Sequence, residues 1–262
     1  MISTQNENIK SSIQSPQPLI RMKGVKKSFG SNHVLRGMNV ELYPRENVVI
    51  LGKSGSGKSV LIKCLVGLVE IDEGIVEVLG KSIPDMQQEE LDAIRTEVGF
   101  LFQGSALYDS MTVRENLQFP LRRHAERMKG QDENTLIIEA LKNVGLEYAI
   151  DLMPAELSGG MKRRIALART LILQPKIILY DEPTSGLDPI TANEIIQLIL
   201  KIQREFDTAA LIITHDMDCA RVISNRMIIL QDGINYAEGT YEELSHIQDP
   251  KVKAFFKEVQ SR

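Results

Sequence analysis

Tryptophan is absent from this chain of 262 residues, aromatic side chains make up 5% of it, and cysteine occurs twice, at Cys64 and Cys219. Two isolated cysteines with no CxxC spacing exclude a disulfide framework and a cysteine-based zinc site, and they fit a reducing compartment. Cys64, in SVLIKCLVGL, reads as a small apolar residue in a packed helix. His215 and Cys219 lie four apart and share a helical face, but two ligands alone make a poor metal site. No stretch approaches the ~18 consecutive apolar residues that a membrane span needs, so a membrane role would pass through a partner. Excess positive charge is missing as well. With 31 Lys and Arg against 35 Asp and Glu, the net charge of −4 argues against nucleic acid as a partner. The first eighteen residues, MISTQNENIKSSIQSPQP, lack the apolar run of a signal peptide and are expected to be a disordered leader, 1–18.

What remains is an ordinary globular composition, 43% hydrophobic and 25% charged, with ample length for a core. LIRMKGVKKSF and MNVELYP alternate apolar and polar residues, as half-buried antiparallel strands do. NVVILG is a compact apolar strand ending in glycine, and SVLIKCLVGL repeats apolar residues at helical spacing. GIVEVLG reads as another short strand. From about 91 to 173 helical patterns dominate, among them LDAIRTEV and ENTLIIEALKNVGL, which predicts a helical insertion between two parts of one α/β core. KIILYDE and AALIITHD then return as buried, β-branched strands. Each ends in polar or acidic residues, at the strand ends where a parallel sheet holds its ligands. RMIILQDG, GINYAEG, the capping box Thr240-x-x-Glu243 and a helical run, KVKAFFKEV, close the chain.

The segment GKSGSGKS matches G-x-x-x-x-G-K-[ST] over Gly52, Lys53, Ser54, Gly55, Ser56, Gly57, Lys58 and Ser59, between a strand and a helix. Gly55 and Gly57 let backbone N–H groups turn inward without a side-chain clash. Lys58 would reach the β- and γ-phosphates of a nucleoside triphosphate, and the Ser59 hydroxyl would ligate Mg²⁺. Asp181 ends a buried strand, where it would hold the same magnesium through water. Glu182 beside it is the candidate general base for a water behind the γ-phosphate. His215 follows a strand expected to run parallel beside the loop strand, which aims the imidazole at the phosphates. Gln103, after the short strand in GFLFQGSAL, could touch both Mg²⁺ and the attacking water. A second helix start, LSGGMKRRIALAR, opens with a serine and two glycines, the form of an anion-holding N-terminus.

The ordered set GKSGSGKS, FLFQ, LSGGM, IILYDE, SGLD and ITHD resembles the ATPase subunit of ABC transporters over about residues 19–246. The resemblance implies a P-loop NTPase core with a mostly parallel sheet, an N-terminal antiparallel β subdomain and an inserted helical subdomain. It implies ATP and Mg²⁺ as ligands and a second copy of the chain as partner. Two cassettes would pack head to tail, with each ATP held between the P-loop of one and the signature helix of the other. Ser158, Gly159 and Gly160 would then contact the partner's ATP, Asp188 of SGLD would lie at the dimer seam, and Phe29 would stack on adenine. Met161 stands where the family usually has glutamine, which removes one polar contact near the ribose.

QGSALYDSMTVRENLQFPL and LSGGMKRRIALART are similar to the ATPases of Mce- and Mla-type phospholipid transporters in double-membraned bacteria. That similarity implies an integral membrane permease, an Mce-domain lipid-binding protein and, in Mla systems, a small cytoplasmic regulatory subunit. It places the chain peripherally on the cytoplasmic face of the inner membrane. Thr112-x-x-Glu115 is equally a generic capping box. A polar amino-acid or lipoprotein-releasing system, and a soluble ATPase of iron–sulfur cluster assembly, remain alternatives. The tail, 247–262, reads either as a closing helix on the core or as a segment that docks a partner.

Overall fold

A computed structural model describes residues 17–257. The leader lies almost wholly outside them, as do the last five residues of the tail. Among the described residues the first elements are β1 (Ile20–Phe29) and β2 (Asn32–Leu42), paired antiparallel, and then β3 (Asn47–Leu51). The phosphate loop leads into α1 (Lys58–Leu65). Then come β4 (Glu73–Val78), β5 (Lys81–Ser82), α2 (Gln88–Glu97) and β6 (Val98–Leu101). Helices α3 (Val113–Arg123), α4 (Glu133–Val144) and α5 (Gly159–Leu171) precede β7 (Ile177–Asp181) and α6 (Pro189–Phe206). The closing elements are β8 (Ala209–Thr214), α7 (Met217–Ile223), β9 (Arg226–Gln231), β10 (Ile234–Gly239), α8 (Tyr241–Ser245) and α9 (Pro250–Lys257).

Two sheets result. A four-stranded antiparallel sheet has the order β2-β1-β4-β5, and a six-stranded sheet has the order β10-β9-β3-β8-β7-β6. In the second sheet β10 alone is antiparallel to its neighbour. Strand β3 is buried at all five positions, and its alternation divides them between two cores. Val48 and Ile50 face the antiparallel sheet and α1, whereas Val49 and Leu51 face α5, α6 and α7. Burial on both faces is why NVVIL reads as one apolar run rather than an alternating pattern.

The antiparallel sheet includes β4, which pairs with β1 over Ile20↔Val78 to Lys26↔Glu73 although it follows α1 in the chain. One expectation changes. The helical segment begins later than 91. Residues 91 and 94 of α2 pack into the first core, and Val98–Leu101 pairs in parallel with β7 from Val98↔Ile177 to Leu101↔Tyr180. The short strand read in GFLFQGSAL is β6, and its pairing with β7 separates it from the helix before it. The helical layer proper is α3, α4 and one face of α5, joined through Val113, Leu117, Ile137, Leu141, Ile165 and Ala168.

Asn116, fully buried on α3, organises the connection from β6 into that layer. Its Oδ1 accepts from the Tyr108 amide at 2.8 Å, and its Nδ2 lies within 3.0–3.2 Å of the carbonyls of Tyr108, Met111 and Thr112. Asn116→Ala removes the partner of several backbone groups at once. The expected loss is about 2–3 kcal/mol, read as a lower urea midpoint at unchanged slope. An unshifted midpoint would mean that this loop holds its shape without the amide.

Candidate active site

Residues 52–59 join the carboxyl end of β3 to the first turn of α1. Gly57 caps the helix at φ 102°, in the left-handed region open to glycine. A Cβ on Gly52 would stand 2.5 Å from Ser56 Oγ and 3.0 Å from the Leu230 carbonyl, so the loop closes only around glycine there. The Ser56 hydroxyl itself is buried without a hydrogen-bond partner. Lys58 is 7% exposed; its ammonium donates to the carbonyls of Gly52 at 2.6 Å and Lys53 at 3.2 Å, and lies 3.5 Å from Glu182 Oε1.

Glu182 follows β7 with φ 50°, a left-handed backbone that a non-glycine residue adopts at a cost. Its amide donates to the Ile213 carbonyl of β8 at 2.9 Å, which holds the turn in place. Glu182 Oε2 accepts from the Thr214 hydroxyl and the His215 amide, each at 3.3 Å, and lies 2.8 Å from His215 Nδ1. As expected from the sequence, β8 runs parallel beside β3, which brings His215 to this end of the sheet. Burial, reinforced by the adjacent Glu182 carboxylate, lifts the Asp181 carboxyl above its ordinary value, against the pull of Lys58, Lys63 and Arg163.

These residues surround a cavity of about 670 Å³. Of the sequence-predicted residues, Phe29, Gly52, Lys53, Ser54, Gly55, Gly57, Lys58, Ser59, Gln103, Asp181, Glu182 and His215 line it. Ser56 turns to an adjoining cleft. Phe29 is half exposed, with the Lys27 ammonium 5.4 Å from its ring centre. The Gln103 amide sits at the rim, 3.4 Å from Ser185 Oγ.

Ser158, Gly159, Gly160 and Asp188 do not line this cavity. Ser158 instead caps α5, its hydroxyl accepting from the Met161 amide at 3.2 Å. A Cβ on Gly160 would meet Thr191 Cγ2 at 2.6 Å, so α5 opens against α6 through that glycine. Asp188 caps α6 through the amides of Ile190 and Thr191 and accepts the Thr191 hydroxyl at 2.6 Å, bonds that hold its carboxyl below the usual range. His215 and Cys219 do not form a metal pair: Asp216 caps α7 between them, and Cys219 is fully buried with its thiol pushed up to about 12. Among the described residues no cluster of three His, Cys, Asp or Glu side chains is placed to hold a metal.

Sequence reasoning missed three contributors. Arg163, 4% exposed, donates to the carbonyls of Phe102 at 2.8 Å and Ser185 at 3.3 Å, tying the segment before Gln103 to the turn after Glu182. Its neighbour Arg164 pairs with Glu194 instead, and nothing in the text RR says which arginine turns inward. Thr214, beside His215, was available in ITHD. Phe255 of α9 also lines the cavity, and no local pattern announces it.

A glycine loop between a parallel strand and a helix, with a buried lysine and a carboxylate pair at the end of β7 in the same sheet, defines a P-loop nucleotide-binding site. The family profile described as "ABC transporter" matches residues 35–185. The chain is 39% identical over 236 residues to the probable ribonucleotide transport ATP-binding protein mkl of Mycobacterium leprae, covering 90% of this chain and 68% of that one. It is 36% identical over 255 residues to the methionine import ATP-binding protein MetN of Campylobacter jejuni, covering 92% and 76%. The fold matches the dimeric post-hydrolysis structure of the ATP-binding cassette MJ0796 bound to ADP and Pi, with a TM-score of 0.76 and 34% identity over 84% of this chain and 98% of that one. The chain therefore belongs to the ABC transporter family, as its ATP-binding and ATP-hydrolysing component.

Asp181 supplies a test in the nucleotide-free protein. A carboxyl whose folded value is raised adds stability only while protonated, and loses that contribution as pH rises through the raised value. At neutral pH the ionised Asp181 therefore opposes folding. Asp181→Asn should raise the melting temperature by about 1–2 °C near pH 8, with the gap closing toward about pH 4. A lowered melting temperature at pH 8 would show that the carboxylate is compensated.

Proposed function

We propose that this chain is the ATPase of a lipid transporter of the Mce and Mla kind, working as a head-to-tail pair of copies beneath an integral membrane permease. The observation that carries the pairing is the division of the phosphate-binding machinery. The cavity holds the P-loop, Asp181, Glu182 and His215, while Ser158, Gly159 and Gly160 form a second donor-rich helix start outside it. A second copy would bring that helix start over the first copy's γ-phosphate, with Asp188 at the seam. The matched cassette MJ0796 is itself dimeric, which supports a pairing of two copies.

In this reading Phe29 takes the adenine, and Lys58 exchanges its carbonyl contacts for the β- and γ-phosphates. Glu182 accepts the proton of a water that attacks the γ-phosphorus as the bond to the leaving ADP oxygen breaks. His215 holds the Glu182 carboxylate and reads the γ-phosphate. Ser59, Asp181 and Gln103 all line the cavity and carry hard oxygen donors, a set that suits Mg²⁺. Bound there, Mg²⁺ would neutralise charge on the transferring phosphate. Once hydrolysis removes the shared γ-phosphate, the two chains lose their bridge and separate.

The permease contact is supported by a separate cleft of about 400 Å³ lined by Phe100, Phe102, Tyr108, Phe119 and Pro120. Phe102, Tyr108 and Phe119 are each more than a third exposed there, and Phe102 precedes Gln103 directly. Among the described residues no helix is long and apolar enough to cross a membrane, so such a partner would supply the span. The lipid reading rests on the text QGSALYDSMTVRENLQFPL and LSGGMKRR. An Mce-domain protein and a small regulatory subunit would complete the assembly on the cytoplasmic face of the inner membrane. A polar amino-acid importer is the second reading, favoured by the relatives named for methionine and cystine import.

Two measurements test this. Glu182→Gln should bind ATP, lose at least about a hundredfold in hydrolysis and accumulate as a closed dimer on a sizing column. Hydrolysis at the parental rate would remove Glu182 as the base. Affinity purification of the tagged chain from mild detergent should recover a multi-span permease and an Mce-domain protein carrying phospholipid. Recovery with an amino-acid-binding protein, or from the soluble fraction with no permease, would overturn the lipid reading.

A further inference from the structure

Helix α9 has no role in the chemistry described so far, yet it is firmly seated. Asp249 caps its start, accepting from the amides of Lys251 at 2.7 Å and Val252 at 3.3 Å, and from the Tyr236 hydroxyl of β10 at 2.9 Å. The Lys251 ammonium lies 3.5 Å from Asp232 and 5.0 Å from the centre of the Tyr236 ring. Val252 is 1% exposed within the second core, and Phe256 meets Tyr241 of α8 edge-on at 5.4 Å. Val252 and Phe256 are one turn apart, so these contacts fix the rotation of the helix.

That rotation places Ala254 and Phe255 on the wall of the ATP cavity. Phe255, which also packs partly against the second core, lines the adjoining cleft formed with residues 53–56 as well, so it stands where the two spaces meet beside the loop. An aromatic face has little to offer a triphosphate but a large contact surface to offer a base or ribose. The cavity already contains one half-exposed ring of this kind, Phe29, on β1.

We propose that Phe255 is a second aromatic wall of the ATP site, supplied by the chain's own α9, which holds the nucleoside end of the bound nucleotide together with Phe29. The inference rests on the assignment of this cavity to ATP. It gives the tail a role that is neither a bare closing helix nor a partner-docking segment. Because stacking tolerates any base, this wall contributes retention rather than selection.

The absence of tryptophan makes the test direct. In the full chain, Phe255→Trp creates a single indole at the cavity, and ATP added in Mg²⁺-free buffer should change its emission saturably. Phe256→Trp, turned toward Tyr241, should respond little. By calorimetry Phe255→Ala should weaken ATP and GTP alike by about fivefold to twentyfold. Phe256→Leu, which touches the packing of α9 but not the cavity, should keep the parental affinity. Parental affinity in Phe255→Ala would overturn the wall while leaving the ATP site intact, and tighter binding would make α9 a plug instead. Equal weakening in Phe256→Leu would overturn it too, by reducing the effect to general loosening of the helix. A parent chain that bound no ATP would remove the cavity's assignment and this inference together.

Discussion

A lysine whose side chain is only 8% exposed must find compensation for its charge inside the protein, and Lys58 finds it in two carbonyls and one carboxylate. Those partners come from different parts of the chain. Gly52 and Lys53 belong to the loop after β3, whereas Glu182 follows β7, two positions away in the sheet with β8 between. The ion pair can form only if the three strands run parallel and end together. It also constrains interpretation of changes at Glu182, because that residue is counter-ion to a buried cation as well as candidate base. Removing its charge alters the ground state of the empty site in addition to any reaction barrier.

The signature helix is tied to the same region by a different route. Arg163, on the second turn of α5, donates to the carbonyls of Phe102 and Ser185, one residue before Gln103 and three after Glu182. Its Nε atom is buried without a partner, so the guanidinium is held by these two oxygens and by the pull of Asp181. The Gly160–Thr191 approach then joins the start of α5 to α6 beside Asp188. A single cation and a single glycine thus connect three segments that the sequence presents as separate motifs. Displacement of the Phe102 segment by a partner in the aromatic cleft would be felt through Arg163 at the start of the helix.

Local chemistry explains which features were readable in advance. The loop was legible because its glycines and lysine are required residue by residue, and each occupies the conformation or contact that requires it. The parallel strands were legible from their β-branched runs, and the Thr240 and Thr112 capping boxes from a four-residue pattern that closes on itself. Features that depend on a distant partner were not readable. Strand β4 read as a strand, but its place beside β1, in a sheet begun 53 residues earlier at Ile20, comes from that pairing alone. Adjacent residues on a helix differ by about 100° in direction, which separates Arg163 from Arg164 and Phe255 from Phe256. Spacing alone showed that these residues belong to helices, but only packing decides which of each pair faces the site.

The two acids at the end of β7 illustrate how one strand terminus serves two purposes. Successive side chains of a regular strand point to opposite faces, which would send one of two adjacent carboxylates away from the ligand. Here the strand ends at Asp181, and Glu182 takes a left-handed backbone fixed by its amide bond to Ile213. Both carboxylates therefore line one cavity but in different surroundings. Asp181 carries the penalty of burial beside a like charge, which a bound cation would relieve. Glu182 is already matched by Lys58, Thr214 and the His215 amide. Environment rather than residue type separates the two carboxylates, and the left-handed turn at Glu182 is what brings both to the same cavity.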